Sequence, residues 1–244
     1  MFLAGIYQNT MEQIIQLLSK DFRRNINILY FAEQYPVTCI KVKGDSVLLK
    51  GTSDREWVMI SSECVNELIP LLRELTLDNK CFSFLEDWIV PYITHCRDAK
   101  WMLSTSQYDL PDDIILPQKK HTTEKLNPDD ADFILTNSNY GQYLSNKYIM
   151  DRINRAPSSC IRIYDQLAAW CFTHDDMAIG SLHVLPEFRK HGFAASVLAD
   201  IIEQVRGLGK VPFCYIEPQN GKSINLVTKL GFRKGKSVVW LELE

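Results

Sequence analysis

The stretch from Ala178 to Phe232, AIGSLHVLPEFRKHGFAASVLADIIEQVRGLGKVPFCYIEPQNGKSINLVTKLGF, constrains the fold more than any other part of this chain. Ile179 to Leu185 is an apolar run that reads as a strand. It breaks at Pro186 into a basic, glycine-containing turn, Arg189-Lys190-His191-Gly192-Phe193-Ala194. Ala194, Val197, Leu198, Ile201, Ile202 and Val205 then recur with the helical period, while Ser196, Asp200, Glu203 and Gln204 face the other way. Gly207 and Gly209 stop that helix, Val211 to Ile216 reads as a second buried strand, and Asn220 opens a shorter helix that ends at Gly231.

The chemistry of the turn points to an anion. The first N–H groups of a helix lack intrahelical partners and carry the positive end of its dipole, so a phosphate there gains hydrogen bonds and charge stabilisation together. Gly192 lets the backbone approach closely, Arg189 and Lys190 add mobile positive charge, and small Ala194 leaves room against the first helical turn. Such a site suits a pyrophosphate. The bare pattern Arg-x-x-Gly-x-Ala is weak by itself; its weight comes from the strand before it, the helix after it, and the downstream run Asn220, Ser223, Leu226, Lys229, Leu230, Gly231, Phe232 in order.

In that order these residues resemble the GCN5-related N-acetyltransferase (GNAT) superfamily, whose signature Arg/Gln-x-x-Gly-x-Gly/Ala binds the pyrophosphate of acetyl-CoA. The resemblance extends upstream to about Leu126: KLNPDDADFI resembles the family's first strand and helix, and YIMDRINRAPSSCIRIYDQLAAWCF its second helix and next two strands. The phrase Leu185-Pro186-Glu187-Phe188-Arg189, after a strand containing Trp170, is similar to the glycine N-acyltransferase-like branch. The resemblance implies an α/β (α+β) chain with the GNAT fold, a mixed, mostly antiparallel central sheet flanked by helices. It implies acetyl-CoA, or another short acyl-CoA, as cosubstrate, and direct transfer to an amine of a small molecule or amino acid. Residues 189 to 194 (Arg189, Lys190, His191, Gly192, Phe193, Ala194), with Asn220 and Ser223, would then hold the coenzyme. Its pantetheine arm would pair with the edge Leu182 to Val184, and a backbone N–H near Val184 would face the thioester.

The departures from the family pattern concern proton transfer. The glutamate found in many members eleven residues before the signature Arg/Gln is here Ala178, the histidine found nine before is Gly180, and the tyrosine two before the Lys of Lys-x-Gly-Phe is Val227. Three replacements are available, each with a plainer reading. Tyr215 in the second strand serves as a base or water-holding group, or is a half-buried strand tyrosine. Asp176, with Asp175, acts through water or forms an exposed turn pair. His183 has a pKa suited to base work, yet alternates to the face opposite Val184 unless a bulge intervenes.

Composition sets the outer bounds. With 244 residues, 46% hydrophobic and 23% charged, the chain can bury a full core and divide into two modest domains. A net charge of −3 offers no global basic field for nucleic acid or an anionic membrane. No apolar run reaches the length of a membrane span, and Met1 to Thr10 lacks the features of a signal peptide, which places the chain in the cytoplasm. The seven cysteines are odd in number and never spaced Cys-x-x-Cys, so they read as reduced thiols; the five histidines show no ligand spacing, and no metal is assigned.

Before the signature, Met11 to Phe22 reads as a helix, Val37 to Lys43, Ser46 to Lys50 and Glu56 to Ser61 as an antiparallel meander, and Val65 to Leu75 as a helix. Cys81 to Leu85 follows as a strand, Asp87 to His95 as a helix and Lys100 to Leu110 as a strand. This order repeats that of the C-terminal half and suggests two GNAT-like halves in tandem, the plainer reading being an unrelated α+β domain. In the first half the strand-to-helix junction is Ser62-Glu63-Cys64, acidic and without glycine, which would repel a phosphate. The proline-rich stretch Ser106 to Asp130 is taken as the linker and cut near residue 118. Residues 1–117 are thus expected to be a domain without a coenzyme site, and 118–244 the catalytic domain. Two functional classes stay open: an N-acyltransferase, with a homodimer compatible, and a non-catalytic acyl-CoA-binding or regulatory module.

Overall fold

A computed structural model describes residues 2–244, with side chains described from Met11 onward. The chain divides into two compact units, 1–105 with 236–244, and 106–235. Neither boundary is the one expected near residue 118. The break falls inside a strand, and the end of the last strand returns to the first unit, because ladder hydrogen bonds rather than prolines decide which unit a segment joins.

The first unit opens with α1 (Phe2–Ser19) and α2 (Phe22–Gln34), followed by the antiparallel meander β1 (Val37–Lys43), β2 (Ser46–Thr52) and β3 (Glu56–Ser61). After α3 (Val65–Leu72), β4 (Cys81–Glu86) pairs parallel to β3, at Val58↔Phe82 and Met59↔Ser83. The short α4 (Val90–Thr94) leads to β5 (Ala99–Asp109), and β10 (Arg233–Leu243) pairs antiparallel to β4 through its C-terminal residues. Leu48, Val58, Leu68, Phe82, Leu85 and Leu241 form the centre of this core. The sequence reading missed α2 and β10. In α2, Asn25 to Phe31 is buried without interruption, so no polar stripe marks a helical period.

The second unit repeats the order. Helices α5 (Ala131–Asn137) and α6 (Asn146–Arg155) precede an antiparallel meander of β6 (Ser158–Ile163), β7 (Gln166–Thr173) and β8 (Ile179–Val184). Then α7 (Phe193–Gly207) leads into β9 (Phe213–Ile216), which runs parallel to β8 and antiparallel to β5, and α8 (Gly221–Lys229) follows. The strand resembling the family's first is reduced to a single bridge, Glu124↔Cys160. Both units are therefore mixed, mostly antiparallel sheets with packed helices, the fold class the resemblance implies.

Helix α7 buries Val197, Leu198, Ile201, Ile202 and Val205, the stripe its period picks out. Its other side is not left to solvent. Lys119 forms ion pairs with Asp200 (2.8 Å) and Glu203 (2.7 Å), the Lys120 amide donates to Ser196 Oγ at 3.3 Å, and the Arg206 guanidinium donates to the carbonyls of Pro111 and Ile114. The proline-rich stretch is thus a packed strap along α7 rather than a free linker.

Candidate active site

The turn between β8 and α7 is shaped by left-handed backbone. Gly192, the N-cap of α7, sits at φ 85° and ψ 6°, and Lys190 has φ 69°. Glycine is the residue that holds φ > 0 without steric cost. No side chain caps α7, so the orphan amides and the dipole of its first turn face outward from an exposed corner. Arg189 folds back to donate from Nε to the Val184 carbonyl at 3.1 Å. The strap borders the same corner: His121 Nε2 lies 2.8 Å from the His191 carbonyl, and its ring meets Phe193 edge-on at 4.7 Å. These contacts tie the corner down from the side and leave the end of the helix open.

Strands β8 and β9 meet only at Ile179↔Cys214 and diverge beyond it. The gap widens into a cleft of about 520 Å³ that runs from Ala194 and Ser223 at the helix ends past Leu182 and Val184 on β8 and Tyr215 on β9, to Tyr140 in the loop after α5. The cleft is therefore continuous with the anion-suited corner.

The distortion of β8 lies elsewhere than expected. Val184 pairs regularly with Ala169, whereas between Trp170↔His183 and Phe172↔Gly180 the register slips. Ser181, at φ 53°, absorbs the extra residue, and Cys171 Sγ lies 3.1 Å from the Gly180 carbonyl. A bulge of this kind turns backbone groups out of the ladder. The register slip thus falls at Ser181 and Leu182, upstream of Val184, while Val184 sits in a non-hydrogen-bonded pair with Ala169 and keeps its N–H directed away from β7.

Among the residues singled out for proton transfer, Tyr215 and Asp176 come together. Asp176 is 1% exposed, so it is not part of an exposed turn pair. Its carboxyl accepts the Ala178 amide at 3.0 Å. Burial, and secondly the charge of Asp175, push its pKa up to about 8, against the opposing effect of the Ala178 amide and then of nearby Tyr215. His183 stacks on Trp170 at 4.6 Å and 21°, and burial, then Arg189, lower its pKa, so it favours the neutral form. The bulge precedes His183, leaving it alternating with Val184; both border the cleft. Asn220 is the N-cap of α8, its Oδ1 accepting the Ser223 amide at 3.2 Å. Ala178 is 1% and Val227 4% exposed, so neither position offers a proton-transfer group.

Two groups went unnoticed in the sequence. Tyr140 donates to Glu217 Oε1 at 2.6 Å, and its pKa is pushed up to about 12, chiefly by burial and then by Glu217. His174 and Tyr148 meet at 3.0 Å between Nδ1 and Oη. Tyr140 follows no period and no motif, and nothing in the linear order joins residue 148 to 174.

In the first unit the corresponding junction is filled by the protein's own side chains. The Arg24 guanidinium donates to the Ser62 carbonyl and pairs with Glu63, and its Nε reaches Glu86 Oε1 at 2.6 Å. Lys236 Nζ lies 3.5 Å from the same Glu86 oxygen. The N-cap of α3 is Cys64, in extended backbone, with no glycine to admit a ligand. Among the described residues, no group of three or more His, Cys, Asp or Glu is placed to hold a metal ion, and no helix is long and apolar enough to cross a membrane.

Residues 161–241 match the family model described as FR47-like protein. No curated protein matches the chain. Among solved structures, a Drosophila protein superposes with a TM-score of 0.80 at 15% identity, over 97% of this chain and 96% of that one. A GCN5-related N-acetyltransferase-like protein from Streptococcus suis gives 0.58 at 13% identity, over 96% and 100%. A GCN5-related N-acetyltransferase from Kribbella flavida gives 0.57 at 12%, over 90% and 93%. These likenesses establish the fold, which is that of the GCN5-related N-acetyltransferases.

Proposed function

We propose that the chain is an acyl-CoA-dependent N-acyltransferase of the GCN5-related superfamily, transferring acetyl from acetyl-CoA to a primary amine of a small molecule or amino acid by direct attack. One observation carries the reading: the uncapped start of α7, with Gly192 in the left-handed region, opens into the same cleft that the parting of β8 and β9 creates. The FR47-like match over 161–241, which includes both features, supports it. The phrase Leu185 to Arg189 motivates the finer placement in the glycine N-acyltransferase-like branch.

In this reading the diphosphate sits on the amides of 190–194, with Arg189, Lys190 and His191 supplying charge and Asn220 and Ser223 bordering it. The pantetheine amides pair with the free edge of Leu182 to Val184, replacing the ladder that β9 does not complete. The backbone N–H of Val184, which the β7 ladder does not use, stabilises the oxyanion. Tyr215, beside the buried Asp176, gives the leaving thiolate its proton, and His183 stays a neutral wall residue unless it relays one. The first unit, its junction closed by Arg24, binds no coenzyme. We place the protein in the cytoplasm, acting without a metal.

Offered acetyl-CoA and a panel of primary amines, the purified chain is expected to release free thiol in step with amine consumption. Tight acetyl-CoA binding without turnover across the panel between about pH 6 and 9 would favour the non-catalytic module instead. Tyr215→Phe is expected to lower kcat by roughly 10²-fold, the scale of a lost general acid or base, with the acetyl-CoA Kd nearly unchanged. An unaltered rate removes Tyr215 from the mechanism.

A further inference from the structure

The strap brings a second lysine to the start of α7. Its Lys119 is engaged within the protein, the ammonium pairing with Asp200 and Glu203, the two carboxylates of α7. Lys120 is not. Its backbone amide donates to Ser196 Oγ at 3.3 Å, which fastens the strap beside the first turn of the helix, while its exposed ammonium has no ion pair or hydrogen bond among the described residues. A Cβ built on Gly192 would lie 4.0 Å from Lys120 Cδ and 3.8 Å from His121 Nε2. Both side chains therefore border the backbone on which the diphosphate is placed. His121 keeps them there: its Nε2 lies 2.8 Å from the His191 carbonyl, which can only accept, so Nε2 carries the proton, and the ring meets Phe193 edge-on.

The path of the coenzyme gives the lysine a partner. The walls of the cleft come from β8, β9, α7, α8 and the loop after α5, and the strap stands outside them. A diphosphate on the first-turn amides joins two arms. The pantetheine arm enters the cleft along the edge of β8, so the nucleotide arm, attached to the other phosphate, leaves on the outer side, where Lys120 and His121 border Gly192. On that arm the ribose of coenzyme A carries a 3′-phosphate, a phosphomonoester with a charge of about −1.5 to −2 at pH 7. The amides of α7 are taken by the diphosphate, and a phosphate one ribose further out needs a side chain that can reach it. A lysine ammonium on its flexible stem is a point charge suited to that task. Because Lys119 neutralises Asp200 and Glu203, no carboxylate of α7 opposes it.

We propose that Lys120 binds the 3′-phosphate of the coenzyme, so that the strap selects 3′-phosphorylated coenzyme A over its dephosphorylated form. This rests on the reading that the coenzyme diphosphate sits at the start of α7. Lys120 makes the contact, and His121 is a positioning residue that holds the strap against the corner.

The test is calorimetric titration of the full chain with acetyl-CoA and with acetyl-3′-dephospho-CoA at low salt. The wild-type chain should bind acetyl-CoA roughly five- to ten-fold more tightly, the scale of one exposed charge-assisted contact, and added salt should shrink that ratio. Lys120→Gln should lose most of the ratio by weakening acetyl-CoA alone, and Lys120→Glu should bring it to unity or below. Lys190→Gln, beside the diphosphate, should weaken both ligands by the same factor and keep the ratio. His121→Ala should lower the ratio while affinity for the dephosphorylated form holds; equal weakening of both ligands would overturn its positioning role. A wild-type chain that binds the two alike, or Lys120→Gln with the ratio intact, overturns the assignment of Lys120 and leaves the coenzyme reading standing. A wild-type chain that binds neither ligand overturns that reading and this assignment with it.

Discussion

Replacing Gly192 by Asp is expected to weaken acetyl-CoA binding roughly a hundred- to a thousand-fold while the chain stays folded. The loss has two sources. A carboxylate about 4 Å from a phosphate charge costs up to about 4 kcal/mol at an effective dielectric of 20, and exposure of this corner trims that figure. An Asp at the N-cap also takes the first-turn amides for its own oxygen, the amides that the diphosphate needs. The fold should survive, because the space beside Gly192 is open: an added Cβ meets nothing nearer than His121 Nε2 at 3.8 Å. The residue must adopt φ 85°, at a cost of roughly 1 to 2 kcal/mol for a non-glycine, and an aspartate cap returns part of it. Gly192→Ala carries the backbone cost without charge or cap and should lose far less affinity. Calorimetric titration of the three proteins separates the terms, and equal affinities for wild type and Gly192→Asp would remove the corner from the coenzyme site.

The largest effect on stability is expected at Trp170. It is fully buried in the second unit's core, meets Phe133 edge-on at 6.0 Å, and forms the surface on which His183 stacks. Truncating such a side chain costs about 3 to 5 kcal/mol, the lost transfer energy plus the cavity left by incomplete collapse. That is a large share of the 5 to 15 kcal/mol typical of a domain. Trp170→Ala should therefore shift urea unfolding by this amount, followed by circular dichroism, since the other tryptophans (Trp57, Trp88, Trp101 and Trp240) all lie in the first unit. Trp170→Phe should cost much less. A Trp170→Ala protein as stable as wild type would mean that the β7 face is not the core of that unit.

What the sequence made legible follows from the range over which each feature is set. The stripe Val197 to Val205, the glycine stop at 209 and the turn at 192 are local, fixed by periodicity and by sterics within a few residues, and the structure has them where the sequence puts them. In the sequence Asp176 reads as a group acting through water or as half of an exposed turn pair, and the structure buries it. Its burial depends on what packs over the β7–β8 connection, which no local pattern encodes. The strap from Pro111 to His121 carries every mark of a linker, yet Lys119 and Arg206 fasten it to α7 through partners some eighty to ninety-five positions apart. The position of the bulge was missed for a related reason. A register slip belongs to a pair of strands, and only the opposition of Cys171 to Ser181 and Leu182 reveals it. Likewise, only the folded structure shows that a Cβ at 180 would meet the His174 ring at 2.2 Å, a contact between two strands that the sequence cannot display.

The most direct measurement of the central claim is amide hydrogen exchange of the wild-type chain with and without saturating acetyl-CoA. The account predicts slowed exchange in two segments, 190–196 at the start of α7 and 182–184 along the open edge of β8, with 62–67 at the first unit's junction unchanged. Protection confined to 62–67, or to any surface away from the cleft between β8 and β9, would contradict it.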